Sequence, residues 1–176
     1  MKGLTPVPPD FESLIQSHSA AVFAYVWRLL GDEADAEDCL QETFLRAYRA
    51  YPRLVANGHA NPTAWLYRIA TNTARTHLRQ RSRAASRTAA LDPELLPAAD
   101  GPAALAEQRQ TLAAVAAAVE ALPYQQRAAL ILRKYQALGY AEVAATLGCS
   151  EAAARANVYQ ALKKLRAVLA GTWEVV

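Results

Sequence analysis

Apolar residues near the start of the chain recur at steps of three and four: Phe11, Leu14, Ile15, Val22, Tyr25, Val26 and Leu29. That spacing draws one stripe along a helix and predicts a first helix ending at Leu30-Gly31-Asp32. His18 falls on the polar edge of this stripe. A second helix is predicted from Asp35, with acids in its first turn where the helix dipole favours them, and with Cys39, Leu40, Phe44, Leu45 and Tyr48 as its stripe. Phe44 and Leu45 are expected in the core. The Tyr51-Pro52 step predicts a break, and residues 52–62, rich in Pro, Asn and Gly, read as a loop. Pro62 then opens a third helix carrying Trp65, Leu66, Ile69, Ala70, Thr73 and Leu78, which dissolves into an arginine-rich tail around RQRSRAASR.

Periodicity fails between Ser82 and Ala106, where Pro and Gly interrupt a run of small residues, as in a tether. Beyond it Leu112, Val115, Val119 and Leu122 share a face up to Pro123, and a further helix covers Arg127 to Tyr135. The segment Gly139 to Lys163 reads GYAEVAATLGCSEAAARANVYQALK. Val143, Leu147, Val158 and Leu162 are spaced for burial, Ala144 permits a close helix crossing, Gly148 suits a left-handed turn, and Ser150 is a candidate N-cap. This is the pattern of a helix-turn-helix, with Arg155, Ala156, Tyr159 and Lys163 on the outer face; an ordinary helical hairpin meets it too.

The expected fold is therefore all-α. Two small helical domains are joined by a flexible linker, the C-terminal one a helix-turn-helix: a tail over 1–10, a first domain over 11–84, a linker over 85–106 and a second domain over 107–172.

Composition changes this picture little. The chain is 53% hydrophobic with only 7 Gly and 9 Pro, which fits ordered helices. A net charge of +3 permits nucleic-acid binding without demanding it, but the distribution is uneven. Asp32, Glu33, Asp35, Glu37, Asp38 and Glu42 form an acidic block, whereas Arg75, Arg79, Arg81, Arg83 and Arg87 are unbroken by any acid. One region suits a basic partner and the other suits phosphate. Cys39 and Cys149 lie far apart, and neither they nor His18, His59 and His77 have metal-ligand spacing, so reduced thiols and no metal or cofactor are expected. No apolar run approaches a membrane span, so a cytoplasmic protein without membrane insertion is expected. No nucleophile triad, phosphate loop or paired carboxylates appear, which argues against an enzyme and for no catalytic residue.

Three motifs in order carry a family resemblance. DAEDCLQETFLRAYRAY resembles the polymerase-binding helix of the extracytoplasmic-function (ECF) sigma factors of RNA polymerase, NPTAWLYRIATNTARTHLRQRSR their promoter-melting helix, and LPYQQRAALILRKYQALGYAEVAATLGCS their C-terminal domain. The resemblance implies a protein that binds core RNA polymerase and directs it to promoter DNA. It implies that Asp38, Gln41, Glu42 and Arg46 dock the clamp helices of the largest polymerase subunit; a merely solvated face meets the same pattern. It places Asn72 and the loop Leu54 to Asn61 on the non-template strand of the minus-ten element, with Arg75, Arg79 and Arg81 near phosphates. Trp65 suits a core position more than base stacking. Ser150, Arg155, Asn157, Tyr159 and Lys163 are the candidate upstream-element residues, because Arg pairs well with guanine and Asn with adenine. The family also implies an anti-sigma partner clamped between the two domains.

Two departures stand out. His77 occupies a position where the family commonly has an acid. The recognition helix reads Ala153, Ala154, Arg155, Ala156, Asn157 and Gln160 where a Lys or Arg series is usual, which predicts weak non-specific affinity and either an altered minus-thirty-five preference, the favoured reading, or a C-terminal domain used as much for protein contacts as for DNA. The rivals are a stand-alone helix-turn-helix regulator, which the acidic second helix argues against, and a sigma-like interaction module.

Overall fold

The structure, a computed structural model, describes residues 10–57, 61–88 and 103–173. Among them the regular elements are seven helices: α1 (Asp10–Leu30), α2 (Glu33–Ala56), α3 (Pro62–Thr88), α4 (Ala103–Glu120), α5 (Tyr124–Lys134), α6 (Tyr140–Leu147) and α7 (Glu151–Trp173). The all-α expectation holds.

Local chemistry sets most of the boundaries. Gly31 ends α1 with φ +74°, a left-handed conformation that costs a side-chain-bearing residue about 1–2 kcal/mol. Asp32 then caps α2, its carboxylate accepting from the Asp35 backbone N–H at 2.8 Å. Asn61 does the same for α3, accepting from the Ala64 N–H at 2.9 Å. Gly148, at φ +66° and ψ 39°, closes α6, and the Ser150 hydroxyl accepts from the Ala153 N–H at 3.2 Å to start α7.

Three expectations are corrected. The loop predicted from residue 52 is helical to Ala56, with Pro52 inside α2. Tyr51 and Leu54, on either side of that proline, are buried, and the Tyr51 ring packs on Phe11 and Trp65 at centroid distances of 5.0 and 6.2 Å. This burial offsets the hydrogen bond the proline cannot make. Leu45 is not core: it is 57% exposed, and Tyr48 is exposed as well. The inward face of α2 consists of Ala36, Cys39, Thr43, Ala47, Tyr51 and Leu54. Finally, α3 does not dissolve in the arginine-rich stretch but runs to Thr88, and α4 starts at Ala103. Residues 89–102 of the expected linker, and 1–9 of the expected tail, lie outside the described residues.

α1, α2 and α3 pack on one another around Val22, Tyr25, Val26, Leu29, Cys39, Leu66 and Ala70, all fully buried. α5, α6 and α7 close a second core around Ala128, Ile131, Leu132, Val143, Ala154 and Val158, with α4 laid on α7. The two cores are continuous, because α3 packs on α6 and α1 on α5. Polar groups line that seam. The Tyr124 hydroxyl donates to the Thr71 carbonyl at 2.5 Å and the Tyr67 hydroxyl to Gln136 Oε1 at 2.7 Å, while Gln136 Nε2 donates to the Ala21 carbonyl at 3.3 Å. Asn61 Nδ2 donates to Glu142 Oε1 at 3.2 Å, and the Arg28 guanidinium lies 4.5 Å from the Tyr135 ring centroid.

Candidate functional site

α2 presents one exposed face. Asp38, Gln41 and Arg46 are exposed and Glu42 half-buried, and their three- and four-residue spacing aligns them along one side. Leu45 stands among them. An apolar side chain ringed by charged and amide groups has the make-up of a protein interface centre with a polar rim. Leu45 is the residue that periodicity misassigned; the signal that could have found it is its four-residue step from Gln41.

Glu42 is the most constrained carboxylate on this face. Its Oε1 accepts from Arg46 at 2.5 Å and its Oε2 from His77 Nε2 on α3 at 3.0 Å. Partial burial pushes the Glu42 carboxyl up, but the hydrogen bonds and charges of His77 and Arg46 outweigh it and hold the group below its ordinary value. His77, at a position where the resemblance implies an acid, thus pins a carboxylate of the neighbouring helix. His18 is a structural residue on the same bundle: its Nδ1 donates to the Leu14 carbonyl at 3.0 Å and its Nε2 meets the Thr63 hydroxyl at 3.0 Å.

On α3 the residues Arg68, Asn72, Arg75 and Arg79 are exposed at steps of four, three and four, which makes a basic and polar track along one side of the helix. Arg68 belongs to it by spacing, four residues before Asn72, and lies outside the arginine cluster of Arg75 to Arg87. Arg75 also lies over the Tyr124 ring at 6.0 Å. Arg81 leaves the track: its guanidinium donates to the Leu30 carbonyl at 3.3 Å and to Asp35 Oδ2 at 3.4 Å, which ties α3 to the α1–α2 turn. Of the loop expected at the minus-ten element, Leu54 is buried in α2, Asn57 caps α2, residues 58–60 lie outside the described residues, and Asn61 caps α3. Trp65 is half-buried against Tyr51.

The helix-turn-helix is formed by α6 and α7. Ala154, Val158 and Ala161 face the core, while Arg155, Ala156, Tyr159 and Lys163 are exposed along the opposite side. Asn157 is half-buried and stands apart from that stripe. Ser150 serves as the N-cap of α7. Arg155 is held by Glu151 Oε1 at 2.5 Å and lies 4.4 Å from the Tyr140 ring centroid.

Of the two cysteines, Cys39 is buried and burial pushes its thiol up to about 12, whereas Cys149 is partly exposed in the turn. Among the described residues no cluster of three or more His, Cys, Asp or Glu could hold a metal ion, and no helix is long and apolar enough to cross a membrane.

Residues 14–84 match the family model of Sigma-70 region 2, and residues 112–165 match that of Sigma-70, region 4. Among curated proteins the chain is similar to the ECF RNA polymerase sigma factor SigE of Mycolicibacterium smegmatis, with 32% identity over 92% of this chain and 62% of that protein. It is 30% identical to the RNA polymerase sigma-H factor of Pseudomonas aeruginosa, over 86% of this chain and 81% of that one. It is also 30% identical to the ECF RNA polymerase sigma factor SigL of Mycobacterium tuberculosis, over 89% of this chain and 87% of that one. The chain thus spans under two thirds of SigE but most of the other two. Among solved structures it resembles the sigma factor RpoE of Bartonella quintana, crystallised with the anti-sigma factor NepR, at TM-score 0.70 and 25% identity over 92% of this chain and 98% of that one. It also resembles CnrH, solved with the cytosolic domain of CnrY, at TM-score 0.67 and 26% identity over 92% of this chain and 88% of that one.

Proposed function

Because the chain belongs to the extracytoplasmic-function family of RNA polymerase sigma factors, we propose that it binds core RNA polymerase through the exposed face of α2 and directs it to promoters. The unit over 11–84 does the docking and melting, and the unit over 107–172 holds the upstream element. Asp38, Gln41, Glu42 and Arg46 form the rim of the docking surface and Leu45 its apolar centre. The observation that carries the reading is Leu45 exposed amid these polar groups on the helix beside the α3 track.

On α3, Asn72 takes an unstacked base of the minus-ten strand, and Arg68, Arg75 and Arg79 follow its phosphates. On α7, Arg155, Tyr159 and Lys163 face the upstream groove, with Ser150 fixing the helix start. The chain acts by binding, in the cytoplasm, and makes or breaks no bond itself. A stand-alone helix-turn-helix regulator would leave the α2 face and the α3 track without a purpose.

The two promoter elements, by their positions, lie about 25 base pairs apart, roughly 85 Å of duplex at ~3.4 Å per step. The two units touch through Tyr124 and Thr71, so engaging both elements requires the seam between them to open. An anti-sigma factor is the proposed regulator of that opening. The complex of RpoE with the anti-sigma factor NepR supports it, as does an apolar groove along the seam lined by Trp27, Val115, Val119, Leu130 and Leu165, with Lys134 beside it.

The test is reconstitution with bacterial core polymerase, followed by run-off transcription from genomic fragments. Core binding that the double variant Gln41→Ala/Glu42→Lys weakens, with promoter-dependent transcripts, supports the reading. Duplex binding without core binding would leave the stand-alone regulator in its place.

A further inference from the structure

The outer face of α7 is short of charge. Between Glu151 and Leu162 the sequence has a single cation, Arg155, flanked on the exposed side by Ala152 and Ala156. An exposed arginine is ordinarily rotamer-rich, and fixing it on a base edge loses that freedom. This one is already fixed. Its Nη2 donates to Glu151 Oε1 one turn back at 2.5 Å, and its guanidinium stacks 4.4 Å from the centroid of Tyr140, a residue of α6. The Tyr140 ring also carries the Arg133 guanidinium at 5.1 Å, so α5, α6 and α7 meet in one arginine–tyrosine layer. A guanidinium has five N–H donors, and the Glu151 carboxylate occupies only one edge of the fork. The remaining donors suit the O6 and N7 acceptors of a guanine, and the methyls of Ala152 and Ala156 suit the C5-methyl of thymine.

We propose that Glu151 and Tyr140 are positioning residues that pre-set Arg155 as a guanine reader, so that upstream-element selectivity rests on one guanine next to thymine-rich positions. This deepens the sigma-factor reading and rests on its placement of α6 and α7 at the upstream element. A pre-set fork offsets the missing lysines and arginines: it adds selectivity at one base pair where added phosphate contacts would raise affinity for every sequence.

The experiment is selection from a duplex library randomised over the upstream element, read by sequencing, with the full chain alone and with core polymerase. Wild type is expected to enrich guanine at one position. Arg155→Lys, which keeps the charge but loses the fork, is expected to lower guanine preference there about tenfold while leaving affinity for random duplex within about twofold. Glu151→Gln and Tyr140→Leu are each expected to weaken the same preference about twofold to threefold without moving it, and Tyr140→Phe to retain it. Lys163→Ala is expected to weaken binding to all sequences equally. Circular dichroism checks that each variant folds.

An Arg155→Lys profile identical to wild type overturns the proposal. So does a Glu151→Gln profile that loses a cytosine elsewhere and keeps the guanine, since Glu151 would then read a base itself. Arg155-dependent guanine selection by the chain alone, without core binding, keeps this proposal and fails the sigma-factor reading. Core binding and transcription indifferent to Arg155 fail this proposal alone.

Discussion

Removing the Tyr124 hydroxyl tests whether the seam between the two units is a closed state held by few polar contacts. In Tyr124→Phe the ring stays packed and only the donor to the Thr71 carbonyl, now at 2.5 Å, is lost. That carbonyl lies within α3 and keeps its helical role, so the cost is that of one hydrogen bond, about 1 kcal/mol, or roughly a fivefold fall in the ratio of closed to open molecules. Gln136→Ala removes two further contacts, from Tyr67 at 2.7 Å and to the Ala21 carbonyl at 3.3 Å. The double variant should therefore lose about 3 kcal/mol if the bonds act independently, near a hundredfold in the same ratio. The assay is single-molecule energy transfer between dyes on cysteines placed at exposed Arg49 on α2 and exposed Gln160 on α7, in a Cys149→Ser background. Wild type should populate a high-transfer state that the single variant thins and the double variant nearly empties, and core polymerase with promoter DNA should abolish it in all three. A double variant whose populations match wild type within twofold would refute the assignment of the seam to these contacts.

Leu45→Asp should reduce core-polymerase affinity by tenfold or more, read by fluorescence anisotropy, with melting temperature unchanged, because Leu45 is 57% exposed and outside the core. Two backbone changes should move stability in opposite directions in urea titrations. Gly148→Ala should cost about 1 kcal/mol at its left-handed φ of +66°, with room for the new methyl, whose nearest neighbour would be Arg68 Nη2 at 4.0 Å; Ala137→Gly should gain a similar amount, because Ala137 sits at φ 53°. Thiol titration should label Cys149 quickly and Cys39 only on unfolding, since Cys39 is buried and its thiol is pushed up to about 12. The Glu42 carboxyl is lowered in the folded state, so its contribution to stability is present above the ordinary carboxylate range and is lost as pH falls through the lowered value; His77→Ala should shrink that acid-side loss in pH-dependent melting.

The element order and the helix-turn-helix were legible because their signals are local. Gly148, Ser150 and the apolar spacing around them act within a few residues, and each sits where its chemistry requires. The inward face of α2 was not legible by the same method. Reading for large apolar residues follows Leu40, Phe44, Leu45 and Tyr48, whereas the face that packs against α1 and α3 is built from Ala36, Cys39, Thr43 and Ala47, small residues that let the helices approach closely. The rotation between those stripes is what leaves Leu45 at the surface, so the error in the core assignment and the missed candidate interface residue have one cause. Pro52 misled for a related reason: a local breaker rule competes with the burial of Tyr51 and Leu54, which depends on residues distant in sequence, Phe11 and Trp65.

α3 explains why the seam was also hidden. It carries three faces: Leu66, Ala70, Thr73 and Ala74 turn into the first core, Ala64, Tyr67 and Thr71 lie on or beside the seam, and Arg68, Asn72, Arg75 and Arg79 face solvent. A helix buried on two sides has a wide, weakly patterned apolar arc, and its second side reads in sequence as ordinary polarity, since Tyr67 and Thr71 use hydroxyls and backbone carbonyls rather than apolar bulk. Periodicity reports how much of a helix is covered but not by what. One helix thus adjoins both the exposed polar and basic track proposed to meet DNA and the seam, so any force that opens the seam acts on the backbone that presents Asn72. On the proposed reading, binding of a partner along the seam and capture of the minus-ten strand would be coupled through α3, and Tyr67→Phe, which loses the bond to Gln136, should alter promoter melting without touching DNA.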